Sequence, residues 1–217
     1  MAYHEIEKII RESFKQIKEI LKDKVLDYKI FFPNYSSGEI RCSEQELKCL
    51  FLSNLSKTDF LYTVETPSKN PYRFKNKKPL VLLDNKKSDD TYQSSMIDVS
   101  IYDKSKKLLS HIEFKHGTCS VFPIQKDFLK MICESESVDR NYFVHYVEVS
   151  DKKTREAVFK KYKMATKAIR ETNSNITNLE QKLCKVEVYI LFVGLDEVYH
   201  FPLNLLNDNL ENYKDVI

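Results

Sequence analysis

Glycine is scarce in this chain of 217 residues: only Gly38, Gly117 and Gly194 occur. A phosphate-cradling loop or a dinucleotide fingerprint needs several glycines at fixed spacing, so nucleotide-driven motors and Rossmann cofactor enzymes are excluded. Cysteine is scattered and never in a CxxC pair; the five are Cys42, Cys49, Cys119, Cys133 and Cys184. An odd, dispersed set reads as free thiols in a reducing compartment, not as a disulfide framework or a structural zinc site. No apolar run approaches the ~20 residues of a membrane-spanning helix. The opening stretch MAYHEIEKIIRESFKQIKEI is charged throughout, unlike the apolar centre of a signal peptide. A soluble, cytoplasmic protein with no membrane partner is expected, and no internal repeat is visible.

What is present suffices for a packed core: 42% hydrophobic and 12% aromatic residues. The length suits one domain. A net charge of +3, from 35 basic and 32 acidic residues, is too small in itself to call for a nucleic-acid partner.

Periodicity divides the chain. Residues 4–29 read as an amphipathic helix with Ile6, Ile9, Ile10, Phe14, Ile17, Leu21 and Val25 on one stripe, suited to covering a sheet or pairing with a second subunit. Ser43 with Glu46 reads as a capping box opening a second helix to about Leu55. DFLYTVET is a strand that Pro67 should end; residues 67–91 form a long connection. In SSMIDVSIYD, strict alternation sets Ile97, Val99 and Ile101 against Met96, Asp98 and Ser100. In KLLSHIEFKHG, Ile112 and Phe114 share one face and His111, Glu113 and Lys115 the other. A helix from Pro123, a strand NYFVHYVEV, a helix over 151–172, a polar loop over 171–178, a central strand KVEVYILFV and a last strand EVYHFPLN follow. Consecutive strands suggest an antiparallel meander and strands reached through helices suggest parallel additions, hence an α/β fold with a mixed sheet flanked by helices.

Acid-x-Lys tripeptides recur, as at Glu46–Lys48, Asp84–Lys86, Asp151–Lys153 and Glu180–Lys182, where helix or loop context makes them solvated decoration. Glu113–Lys115 differs, because the pair sits inside an alternating apolar strand and both side chains emerge on one face. If the strand before it folds back through KSKK, Asp98 approaches Glu113 from the neighbouring strand. Two adjacent carboxylates repel unless a cation joins them, and Mg2+ or Mn2+ suits hard oxygen ligands. A lysine beside such an ion can orient the attacking water and neutralise charge developing on a phosphate.

Asp98 followed by Glu113-Phe114-Lys115 resembles the PD-(D/E)xK nuclease superfamily, the restriction-endonuclease-like fold. The resemblance covers residues 43–149, about half the chain, in the family's core order α-β-β-β-α-β. Residues 1–42 would then be an N-terminal helical segment and 150–217 a C-terminal α/β extension of one nuclease-like domain. The resemblance implies that Asp98 and Glu113 hold a metal with the Phe114 carbonyl, and that Lys115 is the catalytic lysine. It also implies a glutamate from the first core helix: Glu44, with Glu46 better placed to cap. Ile97 stands where the family often has proline. The implied activity is Mg2+- or Mn2+-dependent hydrolysis of nucleic acid, DNA before RNA, leaving a 5′-phosphate, in restriction, defence, repair or mobile-element processing. The rival reading is a weak or inactive nucleic-acid-binding subunit of the same fold, working as a homodimer or with a partner.

Three further features bear on nucleic acid. KNPYRFKNKK, residues 69–78, carries basic residues including Arg73, Lys75 and Lys77, no acids, and Tyr72 and Phe74 as possible base-stacking faces. Lys126, in the helix after the motif, is a candidate phosphate contact. Lys153, Lys160, Lys163, Lys167 and Arg170 form a basic stripe, more often simply the wet face of a helix. His111 and His116 flank the motif but read as satisfied surface histidines.

Overall fold

The computed structural model describes residues 2–22, 29–74, 78–81, 92–206 and 210–215. Helix α1 (Ala2–Leu21) buries Ile6, Ile9, Ile10, Phe14 and Ile17. It stops short of residue 29: Lys22 is in a turn, Lys29 in a bend, and Val25 lies outside the described residues. Helix α2 (Glu44–Leu55) begins at Ser43, whose hydroxyl oxygen accepts from the Gln45 N–H at 3.3 Å while donating to the Glu46 carboxylate. The capping pair therefore forms between side chains. Leu47, Leu50, Phe51 and Leu55 point inward.

Strand β1 (Leu61–Arg73) runs through Pro67 instead of ending there. Proline removes only an N–H, which an edge strand does not need. Among the described residues the outer edge of β1 pairs only with β2 (Leu80–Val81), at Tyr72–Val81 and Arg73–Leu80. Its inner edge pairs antiparallel with β3 (Gln93–Tyr102), and β3 with β4 (Leu108–His116). Helix α3 (Val121–Cys133) leads to β5 (Asn141–Val147), parallel to β4. Helices α4 (Lys152–Thr172) and α5 (Leu179–Leu183) lead to β6 (Val186–Phe192), parallel to β5. Strands β7 (Glu197–Pro202) and β8 (Lys214–Asp215) add antiparallel. The sheet order is β2-β1-β3-β4-β5-β6-β7-β8, an α/β architecture with a mixed sheet.

Helices cover both faces. On one side α1 and α2 pack on Val99, Ile101, Ile112, Phe114, Val144 and Leu191. On the other, α3 and α4 pack on Phe143, Val188, Ile190 and Tyr199. Ile97 breaks the expected alternation: it joins the α3/α4 core, whereas Val99 and Ile101 join the α1/α2 core. The polar stretch 171–178 is not all loop. Glu171 and Thr172 finish α4, and buried Asn173 accepts from the Val81 N–H at 3.2 Å and donates to the Pro79 carbonyl at 3.1 Å. Among the described residues no helix is long and apolar enough to cross a membrane.

Candidate active site

The β3–β4 ladder runs from Tyr102–Leu108 to Val99–Ile112. One residue further, the same register sets Asp98 against Glu113. There the backbone partner is replaced by a side chain: Asp98 Oδ2 accepts the Phe114 N–H at 2.8 Å. Strand β1 is irregular at the same level. Glu65, between the pairs Val64–Val99 and Thr66–Ile97, adopts a left-handed backbone with φ of 51°. Lys48 of α2 closes this side of the site, 2.5 Å from Glu65 and 3.3 Å from Asp98.

Glu113 and Lys115 point to the α3 layer, as the strand period requires. Lys130 Nζ lies 2.6 Å from Glu113 Oε1 and 3.1 Å from Asp127 Oδ1, and donates to the Met96 carbonyl at 3.0 Å. Lys115 Nζ lies 2.8 Å from Asp127 Oδ2 and 3.6 Å from Glu44 Oε2. Lysines from opposite layers thus hold the two motif carboxylates, Lys48 on Asp98 and Lys130 on Glu113. Lys115 shows that the layers meet at this end of β4, since it touches α2 and α3 together. Glu46 is taken up by Ser43, leaving Glu44 as the α2 carboxylate on the motif lysine.

Burial lifts the Glu113 carboxyl well above the ordinary carboxylate range; Lys130 opposes the shift, and Asp127 and Asp98 add to it. Burial would lower Lys115, but Asp127 and Glu44 outweigh it and raise the net pKa. Lys115 therefore carries its proton at neutral pH and acts as a donor, not a base. Asp127 goes the other way: burial raises it, and Lys130 and Lys115 bring it below the usual value.

Oxygen donors of this kind suit Mg2+ or Mn2+. Two observations favour room for such an ion. Asp127 Oδ2 is buried, and the Lys115 ammonium 2.8 Å away is its one neighbouring donor, with no further hydrogen-bond partner. The ion-paired group sets Glu44, Glu65, Asp98, Glu113 and Asp127 against Lys48, Lys115 and Lys130, an excess of two negative charges when all are ionised. Among the described residues, however, no group of three His, Cys, Asp or Glu side chains is gathered to hold a metal. The fit accordingly rests on Asp98, Glu113 and a backbone carbonyl, with ammonium groups now beside the carboxylates.

The expected nucleic-acid contacts are dispersed. Lys75 and Lys77 lie outside the described residues. Arg73 lies over the Tyr92 ring at 5.0 Å and Lys126 over Phe74 at 5.6 Å. Tyr72 is no stacking platform: it is fully buried, stacks on Phe74 and donates its hydroxyl to Glu134. On the α4 stripe, Lys153, Lys160, Lys163 and Lys167 are exposed, and Arg170 is bound to Glu180 at 2.8 Å. His111 is not a surface residue; it is buried against Ser100 at 2.8 Å, and burial lowers its pKa to about 4. His116 pairs with Glu148 at 2.8 Å.

Lys48, Glu65 and Lys130 were not foreseen; Asp127 lies beside Lys126, where the resembled family often places accessory polar residues, but its contact with Lys115 and Lys130 was not. Lys48 and Lys182 are buried, so their acid-x-Lys contexts are not solvated decoration. A signal existed for two of them. Asp127 falls on the helical stripe Ile124–Phe128–Met131, and Lys48 one turn before Phe51, where charge demands a partner. Comparisons of the chain with protein-family models, characterised proteins and solved structures return no match.

Proposed function

We propose that this chain is a metal-dependent nuclease of the PD-(D/E)xK type, hydrolysing phosphodiester bonds of DNA with Mg2+ or Mn2+. The observation that carries the reading is the 2.8 Å bond from Asp98 to the Phe114 N–H, which ties the aspartate to the Glu113-Phe114-Lys115 strand where the ladder ends. The run α2-β1-β3-β4-α3-β5, with β2 as an insertion, supports a restriction-endonuclease-like core.

Asp98, Glu113 and the Phe114 carbonyl would hold the ion, whose chemistry is Lewis-acid activation of water and charge neutralisation at the phosphate. Lys115, protonated and anchored by Asp127 and Glu44, directs its remaining N–H toward the water or a phosphate oxygen. Glu44, partly exposed at the same ammonium, orients the water from the α2 side. Arg73 and Lys126, with Lys75 and Lys77 of the adjoining segment, supply phosphate contacts.

A second reading, a non-cutting nucleic-acid-binding subunit, is favoured by one observation: Lys130 lies 2.6 Å from Glu113, where an ion would bind. Plasmid DNA incubated with the protein and Mg2+ or Mn2+ separates them. Cutting that disappears in Asp98→Ala and Lys115→Ala supports the nuclease. Salt-sensitive binding without cutting supports the second reading, and neither binding nor cutting removes both.

A further inference from the structure

We propose that Lys130 is the resident cation of this site: it holds Glu113 in place while no divalent ion is bound, and it competes with that ion for the Glu113 carboxylate. The inference rests on the metal-dependent reading above and deepens it.

Lysine is almost never buried without partners, yet the Lys130 side chain is 4% exposed. An ammonium has three N–H donors, and three acceptors surround this one: Glu113 Oε1 at 2.6 Å, Asp127 Oδ1 at 3.1 Å and the Met96 carbonyl at 3.0 Å. They come from β4, α3 and β3, so one ammonium draws together the elements that frame the site. All three are hard oxygens, the donor type a divalent ion also selects.

A second cation arriving at Glu113 meets this ammonium at close range and is repelled. Release is nevertheless accessible, because Lys130 keeps Asp127 and the Met96 carbonyl when it leaves Glu113. The lysine thus sets the affinity of the site for its ion. Without a metal it screens Asp127 and Glu113 from each other, and with one it moves to Asp127.

The test uses the full chain and Mn2+ alone, measured by titration calorimetry on wild type, Lys130→Met and Glu113→Gln. Lys130→Met is expected to bind Mn2+ about ten-fold more tightly than wild type, equivalent to about 1.4 kcal/mol; Glu113→Gln is expected to lose binding. Thermal unfolding gives a second readout that survives poor folding. Lys130→Met should melt below wild type without metal, and Mn2+ should raise its midpoint by more than it raises that of wild type. Wild-type binding with no gain in Lys130→Met, or equal midpoint shifts, overturns the competition while leaving the nuclease reading standing. No Mn2+ binding in either protein overturns both.

Discussion

Asp98 and Phe114 are joined across neighbouring strands by a side chain acting as backbone: Asp98 Oδ2 accepts the Phe114 N–H at 2.8 Å, one step beyond the last Val99–Ile112 pair. The bond fixes the aspartate and ends the ladder at once, so the two roles can be separated by substitution.

Asp98→Asn keeps an oxygen for the Phe114 N–H and removes the charge. Plasmid cleavage should fall at least ~100-fold, the scale of losing one electrostatic contact to a transition state, with little change in melting. Asp98→Ala should lose cleavage equally and also destabilise by about 1–3 kcal/mol, because a strand N–H is left without its partner. At this chain length that is a fall of about 2–4 °C per kcal/mol. Cleavage and melting curves on both variants check this; full activity in Asp98→Asn removes the aspartate from the site.

Lys115→Met removes the donor while Lys130 stays on Asp127. Turnover should fall by about 10²–10³-fold, with DNA affinity changed little, since a single phosphate contact is a small part of polyelectrolyte binding. Single-turnover cleavage beside a fluorescence binding curve distinguishes the two. Equal losses in affinity and turnover would make Lys115 a binding residue only.

Ser43→Ala deletes the cap of the helix that carries Glu44 and Lys48. The expected cost is about 1 kcal/mol, read as a lower urea midpoint with unchanged slope. Cleavage should weaken too, because the first turn of α2 sets Glu44 against Lys115. Restoration by Ser43→Thr would tie both effects to the hydroxyl.

His145 predicts an acid limb in stability. It is fully buried, with Nδ1 2.6 Å from the Tyr162 hydroxyl and Nε2 donating to the Gly117 carbonyl at 2.8 Å. Burial lowers its pKa to about 3. Unfolded histidine protonates near ~6.5, so between about pH 6.5 and 3 the unfolded state binds the extra proton. The neutral-histidine contribution, on the order of 5 kcal/mol, is present above this window and is lost as pH falls through it. Urea unfolding across pH 3–8 should show a shallower decline for His145→Gln than for wild type; parallel curves would assign the acid limb to other groups.

Much of this fold was legible because apolar periodicity reports which face is buried. The stripes of α1, α3 and α4 and the alternation of β4 follow directly from residue spacing. Three features were not legible, each for a nonlocal reason. β1 passes through Pro67, and among the described residues its outer edge pairs only near Tyr72 and Arg73, which depends on where β2 lies. Ile97 and Val99 join opposite cores on either side of Asp98, whose side chain takes the Phe114 N–H where Glu65 of the paired strand is left-handed, and residue spacing shows none of this. Lys130 and Lys48 read locally as helix polarity, and only the strands packed against them supply the carboxylates that make their burial possible.

The central claim is that Asp98 and Glu113 share one divalent ion beside Lys115. Anomalous diffraction from crystals of the full chain soaked in Mn2+ tests it most directly. A single strong peak bonded to an oxygen of each carboxylate, with the Lys130 ammonium withdrawn from Glu113, is the predicted result. Well-ordered carboxylates with no peak between them, and Lys130 still against Glu113 at saturating Mn2+, would contradict it.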